Sequence, residues 1–232
     1  MKKLGLTILS LISTFILIYN TSMSPIGISL NNYEFREEAP FISSTVENLI
    51  YLPHQSFNEK EALIMIQNIQ KIDHKILDKA LNSGLKIKLF TGKLTEQSKL
   101  LTLQGKVPRG YSKADPSWDF VPGIGGGEIV YAKIGHSEFG KGHGSIALEL
   151  HELAHSLDKF IFHYVRHHPL FLSAWKKEAK VLFPYQPYFH KFPEEYFAEC
   201  FAFYYFSEES RSLLKEKAPL TYQFMNQLIH SE

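Results

Sequence analysis

The stretch Leu148-Glu149-Leu150-His151-Glu152-Leu153-Ala154-His155-Ser156-Leu157-Asp158 decides how this chain is read. It falls in an apolar run that predicts a helix over 145–165, with Ser145 placed to cap it. Residues four apart share a helix face, so the imidazoles of His151 and His155 converge on one point. Glu152 is turned about 100° from His151 around the helix, which aims its carboxylate at a water on a bound ion rather than at the ion. Two imidazoles in this arrangement suit zinc, and an open coordination position allows the bound water to be activated. Chance produces HExxH often enough that a third ligand is needed before the motif means a catalytic centre.

The extended pattern HExxHxxGxxH is excluded, because Asp158 and Ile161 stand where its glycine and third histidine belong. Pro193-Glu194-Glu195-Tyr196-Phe197-Ala198-Glu199 supplies the alternative. Glu195 and Glu199 share one helix face, and their apolar neighbours argue against a merely solvated surface. One of them can bind the metal while the other supports a ligand histidine from behind. Glu195 is assigned as the ligand.

Outward from the motif, everything after 145 reads as helical, with further helices at about 170–182, 193–207, 208–215 and 219–230. Pro193 suits a helix start, with Glu194 and Glu195 in the first turn. On the other side, 31–57 looks irregular. Asn58 then caps a helix carrying Ala62, Ile64, Ile66, Ile69 and Ile72, and a second helix over 75–81 stops at Asn82-Ser83-Gly84. Leu85 to Phe90 and Glu128 to Ile134 read as strands, separated by a glycine- and proline-rich loop over 105–127. The expected architecture is α+β: a small N-terminal α/β part with a mixed sheet, then a mostly helical C-terminal part.

The chain has 232 residues with 44% hydrophobic side chains, including 18 Phe and 12 Tyr, enough for a well-packed core. A formal net charge of +1 argues against a general electrostatic grip on nucleic acid or anionic lipid. Cys200 is the sole cysteine, so no intrachain disulfide is possible, and its apolar surroundings read as a buried position. Lys2 and Lys3 precede an apolar stretch from Leu4 to Tyr19, and no charge follows until Glu34. That is the layout of a secretory signal over residues 1–25, followed by one domain over 34–232. Ser22 and Ser24 make a poor cleavage site, so an uncleaved membrane anchor is the alternative.

The chain resembles the anthrax lethal factor–like metalloproteases, and among them the small secreted Pro-Pro endopeptidases. The matching words are Leu85 to Leu94, Val107-Pro108-Arg109-Gly110-Tyr111, Trp118 to Gly123, Gly140-Lys141-Gly142-His143, Leu148 to His155, Tyr188, Pro193 to Glu199, and Ala218 to Phe224. They run in the family's order over about 50–230. The resemblance implies a zincin-like metalloprotease domain with one zinc ion per chain, held by His151, His155 and Glu195. It implies Glu152 as general base, Glu199 as the acid behind a ligand, and Tyr188 as the group that assists at the oxyanion. Arg109, Tyr111, Trp118, His143 and Glu194 fall on the substrate side, with Arg109 and Glu194 able to pair across the cleft. Tyr111 departs from the tryptophan of the Pro-Pro endopeptidases, and the turn Gly125-Gly126-Gly127 looks one residue longer than in relatives.

These readings predict a secreted, monomeric endopeptidase whose partner is a proline-containing peptide or protein. No nucleic acid and no membrane beyond the N-terminal segment is expected. The peptide should lie along an edge strand, expected at Glu128 to Ile134. A lethal factor–like protease with other specificity, or a non-catalytic zinc-binding adhesion domain, would share much of this sequence.

Overall fold

A computed structural model describes residues 26–36, 39–109 and 117–231 of the chain. Five strands form one sheet: β1 (Ile28–Ser29), β2 (Ile50–Leu52), β3 (Lys86–Phe90), β4 (Gly123–Ile124) and β5 (Ile129–Lys133), in the order β1-β2-β3-β5-β4. β2, β3 and β5 run parallel, whereas β1 and β4 pair antiparallel at the two edges. The sheet is therefore mixed, as expected.

Helices α1 (Ser44–Leu49), α2 (Glu59–Gln70) and α3 (His74–Asn82) accompany the first strands. α2 begins where the sequence says it should, because the Asn58 side chain accepts from the Glu61 N–H at 3.2 Å. Its core face is Ala62, Leu63, Met65, Ile66 and Ile69, while Ile64 points to solvent. α3 is capped by Asp73, and Gly84, at φ +82°, turns the chain into β3. Period-2 alternation then sorts the two sheet faces. Ile87, Leu89, Val130 and Ala132 enter the main core, and Ile129 and Tyr131 join Phe90 and Leu94 in a smaller cluster under Trp118, Val121 and Ile124.

The C-terminal part holds α4 (Leu148–Phe160), α5 (Pro169–Leu182), α6 (Pro187–Lys191), α7 (Pro193–Phe206), α8 (Glu208–Lys217) and α9 (Pro219–Ser231). α7 is apolar on nearly all sides and lies in the middle, with Tyr196, Phe197, Cys200 and Phe201 fully buried. Burial pushes the Cys200 thiol pKa well up, as a structural cysteine should behave. Glu178 of α5 fastens α9 to this core. Its carboxylate accepts from the N–H groups of Leu220 and Thr221, both at 2.9 Å, and from the Thr221 hydroxyl at 2.8 Å. A buried carboxylate at a helix N-terminus satisfies otherwise orphaned donors and complements the dipole.

Four expectations need correction. The segment 31–57 is not irregular, since it contains α1 and β2, elements too short to show a period. The motif helix is shorter than 145–165. Ser145 does not cap it: Ala147 is the cap residue, held extended by a bridge to Glu138, while the Ile146 N–H is donated to Glu199 at 2.8 Å. At the other end the chain turns through His163 and Tyr164, at φ 52° and 67°, fastened by an Asp158–Arg166 ion pair at 2.5 Å. Finally, β5 is an interior strand, and the edge on its side of the sheet belongs, among the described residues, to β4, inside the segment read as loop.

Candidate active site

α4 and α7 pack against each other and bring the motif residues together. His151 Nε2 lies 3.2 Å from His155 Nε2 and 3.2 Å from Glu195 Oε2, and His155 Nε2 lies 3.4 Å from the same oxygen. Four ligands at zinc bond lengths of roughly 2.0–2.1 Å stand about 3.3–3.4 Å apart at the corners of a tetrahedron. These three donors thus occupy three such corners, and two imidazoles with one carboxylate form a set that zinc accepts. The residues fit the metal.

Glu199 stands behind. Its Oε2 lies 3.0 Å from His151 Nδ1, and its Oε1 accepts from the Ile146 N–H. Donating the Nδ1–H in a hydrogen bond to Glu199 leaves the Nε2 lone pair of His151 directed at the metal position. The electrostatics favour positive charge here. Burial works against a charged His151, but the carboxylates of Glu195 and Glu199 outweigh it and push the pKa up to about 10. Burial likewise opposes ionisation of Glu195, yet His151 and His155 hold its pKa well below the ordinary carboxylate range.

Glu152 faces the cleft beside this triangle. Burial raises its pKa, tempered by His151 and His155 and by the Gly125 backbone. The edge of the sheet presses directly on it. A Cβ on Gly123 would come within 2.9 Å of Glu152 Cγ, and one on Gly125 within 1.9 Å of the Glu152 carbonyl oxygen. Only glycine permits this approach. Ser156, one turn further along α4 and fully buried, holds the turn after β4: its Oγ accepts from the Gly126 N–H at 3.0 Å and donates to the Gly127 carbonyl at 2.8 Å.

The other expected residues are placed as follows. Tyr188, on α6, lines the cleft with His151, Glu152, His155 and Glu195, and its ring packs edge-on to Phe192 at 5.0 Å. Arg109 sits over the same Phe192 ring at 4.7 Å, pairs with Glu194 at 2.5 Å and comes within 4.0 Å of Glu195. Trp118 lines the cleft as well. Tyr111 lies outside the described residues.

His143 lines the cleft, but both its ring nitrogens are committed. Nδ1 accepts from the Ser145 N–H at 3.1 Å, which leaves Nε2 to donate to the His136 carbonyl at 2.6 Å. Burial lowers its pKa, so the ring is neutral and contributes shape rather than a free polar group.

Sequence reasoning gave no role to Gly123, named Gly125 only within the glycine turn, and missed Ser156 and the cleft-lining Phe139. The run of glycines beside a strand was a usable signal for the first two. Nothing in the sequence marks Ser156 or Phe139, since their places beside the cleft are set by segments distant along the chain.

The family model described as "Anthrax toxin lethal factor, N- and C-terminal domain" matches residues 35–228. A Pro-Pro endopeptidase of Paenibacillus alvei is 40% identical over 185 residues, covering 80% of this chain and 85% of the relative. A Pro-Pro endopeptidase of Clostridioides difficile is 34% identical over 227 residues, covering 98% of this chain and 97% of the relative. The solved structure of the Paenibacillus alvei Pro-Pro endopeptidase matches with a TM-score of 0.76 at 40% identity, over 80% of this chain and 100% of that one.

Proposed function

The chain belongs to the anthrax toxin lethal factor family, and on that premise we propose that it is a zinc metalloendopeptidase that hydrolyses the bond between two prolines. The observation that carries the reading is the triangle of His151, His155 and Glu195 donors beside Glu152, under the free edge of β4. The proline preference rests on the relatives. Zinc in the triangle would supply Lewis acidity toward the scissile carbonyl and lower the pKa of a water.

The protein's own groups do the rest. The peptide extends along the free edge of β4, where its two prolines offer carbonyls but no N–H donors. Glu152 takes a proton from the attacking water and returns it to the departing proline nitrogen. The buried setting that raises its pKa makes it a stronger base, and the Gly125 backbone fixes where it points. Tyr188 donates its hydroxyl proton in a hydrogen bond to the oxyanion as charge develops there. Arg109, Tyr111, Trp118, His143 and Glu194 form the substrate walls. The Lys2-Lys3 start and the apolar stretch from Leu4 to Tyr19 support export of the chain, which then acts as a monomer with one zinc on an exported or surface protein.

Mass spectrometry of products from a mixed peptide library, with and without a Pro-Pro pair, tests the specificity. Cleavage is expected between the prolines, and cleavage spread over other bonds would overturn that part. In parallel, Glu152→Gln should retain zinc and lose roughly 10²–10⁴-fold in turnover. Full turnover without Glu152 or without zinc would overturn the mechanism.

A further inference from the structure

The loop between β5 and α4, residues 135–147, folds on itself with unusual economy. Gly140 donates to the His143 carbonyl at 3.2 Å, and Lys141 to the Glu138 carbonyl at 3.3 Å. The His136 ring meets the Lys141 carbonyl at 2.5 Å, and His143 spends both nitrogens inside the loop. Gly140 and Gly142, at φ +82° and +91°, permit the tight path. At the base, Ser137 donates to the buried Glu149 carboxylate at 2.8 Å, and the Glu138–Ala147 bridge closes the loop. The loop is a braced projection rather than a slack connection.

What it projects is Phe139. This ring lines the cleft yet is 64% exposed, and no ring–ring contact among the described residues involves it. Its position relative to the scissile bond follows from the neighbours. Gly123 touches Glu152, which marks the register of the reacting carbonyl. Gly142, three residues from Phe139, faces the Pro122 ring, with a Cβ at Gly142 falling 3.8 Å from it. Pro122 is the residue just before β4, and its carbonyl is fixed by the Lys133 N–H at 2.8 Å. A peptide paired with β4 that continued past Pro122 would pass close to this loop at Gly142, three residues from Phe139. At about 3.3 Å per extended residue, Phe139 meets the second or third residue from the scissile bond on that side.

We propose that Phe139 is a specificity-determining residue: its exposed ring receives an apolar substrate side chain two or three residues from the scissile bond, on the side that leaves the cleft past Pro122. The inference rests on the endopeptidase reading of the cleft. An exposed phenylalanine on a braced loop loses its contact with water when the peptide lies over it, and little ordering entropy opposes this because the loop is already fixed.

The test uses the zinc-loaded enzyme and a peptide series built around whichever bond the wild-type chain cleaves best. Each of the three positions on either side of that bond is occupied in turn by leucine or by aspartate. Phe139→Ala should raise KM about 5–10-fold for peptides with leucine at one position only, with kcat and zinc content little altered. The leucine-over-aspartate preference at that position should fall by a similar factor, and Phe139→Leu should restore much of it. An equal loss on every peptide, or no loss on any, would overturn the assignment. Because the series follows the bond actually cleaved, failure of the Pro-Pro reading shows in the wild-type profile and failure of the Phe139 assignment in the variant.

Discussion

On the floor of the cleft, each donor around the metal position is an ionisable side chain held by another side chain or by one backbone N–H. Along the rim, backbone without side chains packs closely on α4. His151 is gripped by Glu199, which is gripped by Ile146, and both helices that carry them are buried. The rim, by contrast, exists because Gly123 and Gly125 have no side chains and because Ser156 ties the glycine turn to α4. The floor therefore depends on what residues are, and the rim on what they lack. Changes on the floor should appear first in metal content, and changes on the rim in turnover or KM with the metal in place.

The largest expected effect is on the floor. His151→Ala, His155→Ala or Glu195→Ala should abolish stoichiometric zinc and activity together, read by elemental analysis of the purified variants. Glu199→Ala should be milder, weakening zinc about 10–100-fold against a competing chelator, because it orients a ligand without being one. Full zinc retention in either histidine variant would break the assignment of the floor.

Gly125→Ala is the corresponding test of the rim. Its Cβ would fall 1.9 Å from the Glu152 carbonyl oxygen, so the turn or the helix must move. A shift on the order of 1 Å beside Glu152 should reduce kcat by roughly 10²-fold while zinc stays bound. Loss of zinc in this variant would show that rim and floor are not separable.

The floor also carries a pH signature. In the metal-free protein His151 titrates at about 10, above its ordinary value of 6.5, because Glu195 and Glu199 outweigh burial. The charged ring thus stabilises the metal-free fold below about pH 6.5, and that stabilisation is lost as pH rises through about 10. Zinc must displace this proton. Between about pH 7 and 9, binding should release one proton, and apparent affinity should rise about tenfold per pH unit. Weakly buffered titrations read both quantities, and a flat affinity would mean that no proton holds the empty floor together.

Ser156→Ala should give the smallest effect. Removing the latch on Gly126 and Gly127 should cost about 0.5–1.5 kcal/mol in thermal or denaturant unfolding. A several-fold rise in KM should accompany it, with zinc unaltered. An unchanged KM would mean that the glycine turn holds its place without the latch.

Much of the floor was legible before any coordinates. HExxH at helical spacing and Glu195 and Glu199 four apart are local patterns, and a helix converts spacing into shared direction. The Asn58 cap and the lysine-interrupted strand at Leu85 to Phe90 were legible for the same reason. The rim was not. β4 has two residues, too few for alternation to register, and it is a strand only because β5 pairs with it. Ser145 has the residue type of a cap, yet the bridge from Ala147 to Glu138 holds this segment extended.

The sequence by itself determined the chemistry: which side chains can bind zinc, which can carry a proton, and which helices hold them. Those properties belong to residue type and to periods of a few residues. Only the tertiary structure decided that β4 and not β5 lies at the sheet edge, that His143 has no nitrogen to spare, and that Phe139 stands exposed at the cleft. Each depends on contacts between segments whose neighbourhood is set by packing of the whole chain, and no local pattern encodes that.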